Sequence, residues 1–98
     1  MTIAVPIKNN RSCSDLNSCD LVTIFSFNNN RVESEKQIKV SFDEVDISFK
    51  WLTELNIDMV ITGTIDSRLN EYLQKHKIQA ITGAPIANPQ MLAEFYAM

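Results

Sequence analysis

The sequence predicts an α/β fold, a five-stranded mixed sheet flanked by about three helices. Three observations lead there. The only two glycines close matching phrases, Asp58-Met59-Val60-Ile61-Thr62-Gly63 and Gln79-Ala80-Ile81-Thr82-Gly83, each an apolar run followed by a helical stretch. Glycine lets a backbone leave a strand in conformations that other residues resist, so each phrase reads as a strand turning towards a helix, and the tandem implies parallel strands. Between two further apolar runs stands Asn28-Asn29-Asn30-Arg31. Asparagine is the residue after glycine that best tolerates positive φ, so this is a hairpin turn. Finally, 98 residues at 45% hydrophobic content make a single domain, residues 1–98, able to bury roughly two thirds of the surface its unfolded chain exposes.

The elements follow in order. Thr2 to Ile7 is a short apolar strand, and Lys8 to Cys19 is polar with no helical or strand period, which makes it a long loop. Leu21 to Phe27 and Val32 to Val40 are the hairpin strands. Ser41 and Glu44 have the spacing of a capping box, and Phe42, Val45, Phe49 and Leu52 continue at helical spacing, so a helix spans about 42 to 55. Ile57 to Thr62 is the fourth strand, Ser67 to Lys75 a helix with Leu69, Tyr72 and Leu73 inward, and Ile78 to Thr82 the fifth strand. Asn88 followed by Pro89 is an N-cap with proline at the first helical position, opening a last helix towards Ala97. Met91, Leu92, Phe95 and Tyr96 are read as its core contacts.

Right-handed crossovers and a hairpin partner kept beside its neighbour give the sheet order 3-2-1-4-5 with strand 2 antiparallel. This is the ribonuclease H-like architecture, three layers with strand 1 central. The loops leaving strands 1, 4 and 5 then converge on one edge, where function is to be sought. Nuclease chemistry is disfavoured, because paired divalent ions need several converging carboxylates and strand 1, Ile3-Ala4-Val5-Pro6-Ile7, offers none.

Composition excludes further classes. Nine Lys and Arg against twelve Asp and Glu give a net charge of -3, which disfavours nucleic acid and anionic membranes as partners. No apolar run approaches the roughly 18 residues of a membrane span and the N-terminus lacks a signal-like core, so the expected location is the cytoplasm. Two cysteines there are thiols rather than a disulfide framework. The single histidine, His76, lies in the last turn of the second helix, far from the proposed edge, and cannot assemble a hydrolytic triad. The protein is therefore not read as an enzyme.

Ile3-Ala4-Val5-Pro6, the polar loop, Val60-Ile61-Thr62-Gly63-Thr64-Ile65, and Ile78 through Gly83-Ala84 together resemble the dinitrogenase iron-molybdenum cofactor biosynthesis family, which includes nitrogenase cofactor carriers and the molybdenum-copper orange protein. The resemblance covers nearly the whole chain. It implies a ribonuclease H-like fold without nuclease chemistry, and a nitrogen-fixation-like role in binding or delivering a metal-sulfur cluster in the cytoplasm. Family members carry a Ser-x-His-Phe-Gly-Arg-Ala-like segment after strand 1, whose histidine is a candidate cluster ligand. The aligned stretch here is Cys13-Ser14-Asp15-Leu16-Asn17-Ser18-Cys19, with Asp15 in place of the histidine and Asn17 in place of the glycine. Asp66 likewise replaces a glycine common after the Gly-x-Ile turn, where it also reads as a helix cap. The fold can be inherited while the cofactor is lost or changed.

Cys13 and Cys19 are the candidate metal ligands, since thiolates suit iron-sulfur, copper(I) and molybdenum-sulfur centres and two in one loop could replace the absent histidine. The alternative is two unrelated cysteines, with Cys19 packed at the start of strand 2. Lys8 and Arg11 open the loop, and the helices after Gly63 and Gly83 aim their positive ends at the same edge. An anion fits there: a metal-sulfur cofactor, a phosphate or an organic acid. Against this, Lys8 and Arg11 are also what solvated loop charges look like. The candidate cofactor-binding set is thus Lys8, Arg11, Ser14, Asp15, Asn17, Gly63, Thr64 and Gly83. Two readings stay open. One is a non-catalytic carrier of a metal-sulfur centre or related anion. The other is a degenerate member without cofactor that contacts a protein partner or a second copy through Trp51 and the exposed edge of strand 3. Trp51 and Ile47 share a helix face and either mark that surface or widen the buried stripe.

Overall fold

A computed structural model describes residues 1–9, 11–12, 19, 21–39, 50–65 and 67–97. Along the chain these form β1 (Thr2–Lys8), β2 (Arg11–Ser12), β3 (Leu21–Asn28), β4 (Arg31–Lys39), α1 (Lys50–Glu54), β5 (Met59–Ile61), α2 (Ser67–Lys75), β6 (Gln79–Ile81) and α3 (Pro89–Ala97). The sheet runs β4-β3-β1-β5-β6, with β2 attached to β1. β1, β5 and β6 are mutually parallel, and β3 is antiparallel to both β1 and β4. Setting β2 aside, this is the order expected from the sequence. No described helix is long and apolar enough to cross a membrane.

β2 corrects one expectation. The segment from Lys8 is not loop throughout: Asn9 takes a left-handed conformation (φ 56°) and the chain doubles back so that Ser12 pairs with Ile7 and Arg11 with Lys8. Two residues carry no readable period, which is why the strand is invisible in sequence. The main hairpin turns as expected, with Asn29 (φ 55°) and Asn30 (φ 64°) both left-handed, the combination that matches the right-handed twist of the flanking strands.

Strand alternation divides the core into two layers. On one side of the sheet Ala4, Val22, Ile24 and Val60 pack with Leu52 of α1 and Leu69 and Leu73 of α2. On the other, Ile3, Val5, Ile7, Phe25, Met59 and Ile61 pack with Leu92 and Ala93 of α3. The molecule is therefore a three-layer α/β sandwich. The half-buried Trp51 packs against the first layer, so the described structure gives it the wider buried stripe rather than an open surface. Ile47 and the capping box at Ser41 and Glu44 lie outside the described residues.

With so few glycines, the helix ends use other residues. α1 and α2 both close in Schellman motifs: Ile57 donates to the Leu52 carbonyl (2.9 Å) and Asn56 to Thr53 (3.2 Å), while Ile78 donates to Leu73 (2.8 Å) and Lys77 to Gln74 (3.2 Å). The left-handed positions are Asn56 (φ 54°) and Lys77 (φ 58°). α3 begins as predicted, with the Asn88 Oδ1 accepting from the amides of Gln90 (2.9 Å) and Met91 (3.2 Å). Its inward face differs from expectation. Leu92, Ala93, Tyr96 and Ala97 turn to the sheet, and Met91 and Phe95, one step round the helix, are 67% and 65% exposed.

Candidate functional site

Parallel pairing fixes the site. Met59 with Gln79, Val60 with Ala80 and Ile61 with Ile81 put β5 and β6 in step, so the two Thr-Gly turns leave the sheet side by side. They are then clasped. Thr62 donates to the Ile81 carbonyl (2.9 Å), Gly83 to the Gly63 carbonyl (2.6 Å) and Ala84 to the Thr62 carbonyl (3.3 Å). Gly83 sits at φ +75° with open space where a Cβ would project. Glycine is required there by backbone conformation and not by crowding. Gly63 does not share this requirement, since Gly83 is the positive-φ glycine of the structure.

Beside the clasp lies an open depression of about 690 Å³ lined by Gly63, Thr64, Ile65, Ser67, Asn70, Thr82 and Gly83. Among the described residues, its side-chain polar groups are hydroxyls and one carboxamide. Ser67 is the first residue of α2, so the positive end of that helix opens onto the depression.

The third loop is tied in by a residue that the sequence reading did not single out. Ser12 is 4% exposed. Its amide donates to the Ala87 carbonyl (2.9 Å), its Oγ accepts from the Ala87 amide (2.9 Å), and the hydroxyl donates to the Pro85 carbonyl (3.2 Å). The β1–β2 hairpin is thereby stitched to the segment after β6, at the sheet end where Gly63 and Gly83 lie. No motif announces such a serine, because its partners are backbone groups remote in sequence. The same hairpin sets Lys8 directly across from Arg11, both exposed. Like charges placed opposite one another repel, so this pair favours a neutralising anion.

The structure brings Lys8, Arg11, Gly63, Thr64 and Gly83 to one rim, with Gly63, Thr64 and Gly83 in the depression itself. Cys13, Ser14, Asp15, Asn17 and Asp66 lie outside the described residues. Cys19 is 7% exposed and belongs to the core layer of Ala4, Val22 and Ile24, the packed position that the sequence offered as its alternative to a ligand. Among the described residues no three His, Cys, Asp or Glu side chains converge on a metal position. His76 is remote, exposed in the turn after α2 with its ring 4.3 Å from that of Tyr72. Among the described residues the rim offers hydroxyl groups at Thr64, Ser67 and Thr82 and the exposed cations Lys8 and Arg11. It does not itself supply a coordination shell.

No family model matches the sequence, and no curated protein matches it. Solved structures do. The chain is similar to PH0822 in its crystal structure, with a TM-score of 0.85 at 17% identity over 98% of this chain and 88% of that one. It is similar to a "putative dinitrogenase" (MJ0327) from Methanocaldococcus jannaschii, whose crystal structure gives a TM-score of 0.79 at 18% identity over 99% of this chain and 88% of that one. The NMR structure of the same archaeal protein gives 0.80 at 18% identity over 98% and 85%. At such identities the likeness speaks for the fold.

Proposed function

We propose that this chain is a small, non-catalytic, cytoplasmic binding protein of ribonuclease H-like fold, similar to carriers in iron-molybdenum cofactor assembly. It holds an anionic ligand at the rim formed by the loops after β1, β5 and β6. The observation that carries this reading is the clasp of Gly83 on Gly63 beside a hydroxyl-lined depression at the start of α2. The Lys8–Arg11 pair on the adjoining hairpin supports the sign of the ligand's charge. In this reading Thr64, Ser67 and Thr82 donate hydrogen bonds, α2 contributes its positive end, and Cys13 supplies a thiolate if the ligand contains a metal-sulfur centre.

The test is anaerobic reconstitution with iron, sulfide and molybdate. The reading predicts thiolate-to-metal charge-transfer absorbance that is lost in Cys13→Ala and kept in Cys19→Ala, as the burial of Cys19 requires. Colourless protein that also fails to bind molybdate or tetrathiomolybdate overturns it. A second reading, a family member without cofactor that works by contacting another protein, is favoured by two observations: the core position of Cys19 and the solvent-facing Met91 and Phe95. Recovery of a stoichiometric protein partner from native lysate by protein that binds none of these anions decides for it.

A further inference from the structure

β4 is a nine-residue strand at the edge of the sheet, and among the described residues no strand pairs with its outer side. Such an edge presents a row of backbone donors and acceptors to any strand that fits. Its one irregularity lies near the hairpin, opposite Ser26 and Phe27, so Ser34 to Lys39 run in regular register with β3. From Glu33 to Gln37 every residue is exposed, and so is Lys39. Charges on an edge discourage indiscriminate pairing, yet a particular sequence of signs also selects a complementary partner.

That sequence of signs is self-complementary in one register. Glu35, Gln37 and Lys39 stand opposite Phe25, Thr23 and Leu21 and therefore share one face. In an antiparallel pairing of two copies about a two-fold axis normal to the sheet, residues of one face meet residues of the same face. An axis through Gln37 sets Glu35 of each copy against Lys39 of the other and Lys36 against Ile38. An axis through Lys36 faces lysine with lysine, one through Glu35 faces glutamate with glutamate, and one through Ser34 sets Glu33 against Glu35. Opposite charges across strands attract and like charges repel, so of these four alignments the one through Gln37 is favoured.

We propose that two copies of this chain associate through β4, antiparallel about Gln37, joining their sheets in a two-fold dimer. The inference does not depend on the ligand at the rim, and its test uses protein without ligand. Sedimentation of the full chain over a concentration series should show a reversible, salt-weakened dimer. Glu35→Lys alone, or Lys39→Glu alone, should raise the dissociation constant about tenfold or more, since each places two like-charged pairs across the axis. The double exchange Glu35→Lys with Lys39→Glu should restore it. All these residues are exposed, so unchanged thermal melts serve as the folding control. A chain that stays monomeric up to about 1 mM, or a dimer indifferent to the single exchanges, overturns the proposal.

Discussion

The amide of Gly83 donates to the carbonyl of Gly63 across 2.6 Å, the shortest of three bonds that join two turns kept in step by the parallel pairing of β5 and β6. Gly83→Ala forces a side chain into a left-handed position. The expected loss of stability is about 1–2 kcal/mol by urea unfolding, with Gly83→Asn losing less because asparagine tolerates that conformation. Equal losses for the two variants would show that the turn is not held at positive φ.

Ser12 should matter out of proportion to its exposure. Ser12→Ala leaves the part-buried Ala87 amide without the Oγ it donates to, at a cost of about 1–3 kcal/mol. Hydrogen exchange at Ala87 should accelerate more than at Ile24 in the centre of β3. An unchanged Ala87 amide would mean that the hairpin is not stitched to this segment.

Lys77 points the other way. It occupies the left-handed C′ position of α2 (φ 58°), where glycine is the usual residue. Lys77→Gly should raise stability by roughly 0.5–1 kcal/mol, the relief of backbone strain exceeding the added freedom of the unfolded chain. A decrease in thermal midpoint would contradict the Schellman geometry.

Two phenylalanines separate core from surface. Phe25 is fully buried between Ile3 and Glu35 of the flanking strands, and Phe25→Ala should cost about 3–5 kcal/mol. Phe95 is 65% exposed, and Phe95→Ala should stay within about 0.5 kcal/mol of the parent. A large loss at Phe95 would return it to the core position that the sequence suggests.

The sheet was legible because its signals are local. The Thr-Gly phrases, the Asn29-Asn30 turn and the Asn88 cap each carry their own stereochemistry, and α2 occupies the interval its spacing indicates. What escaped depends on contacts distant in sequence. β2 exists because Asn9 turns the chain back on β1, and Ser12 matters through carbonyls far along the chain. Cys19 reads from sequence as either a ligand or a packed residue, and its place in the core layer beside Val22 and Ile24 is a tertiary fact that local chemistry does not carry. Met91 and Phe95 are apolar and on a helix, but periodicity does not say which of two adjoining stripes meets the sheet.

Amide chemical shifts during titration with tetrathiomolybdate, run beside molybdate and phosphate, decide whether the rim takes up an anion. Saturable shifts are expected at Gly63, Thr64, Ser67 and Gly83, weakened in a Lys8→Gln, Arg11→Gln double variant. Shifts confined to the far end of the sheet, around Asn56 and His76, or no saturable shift with any of the three anions, would contradict it.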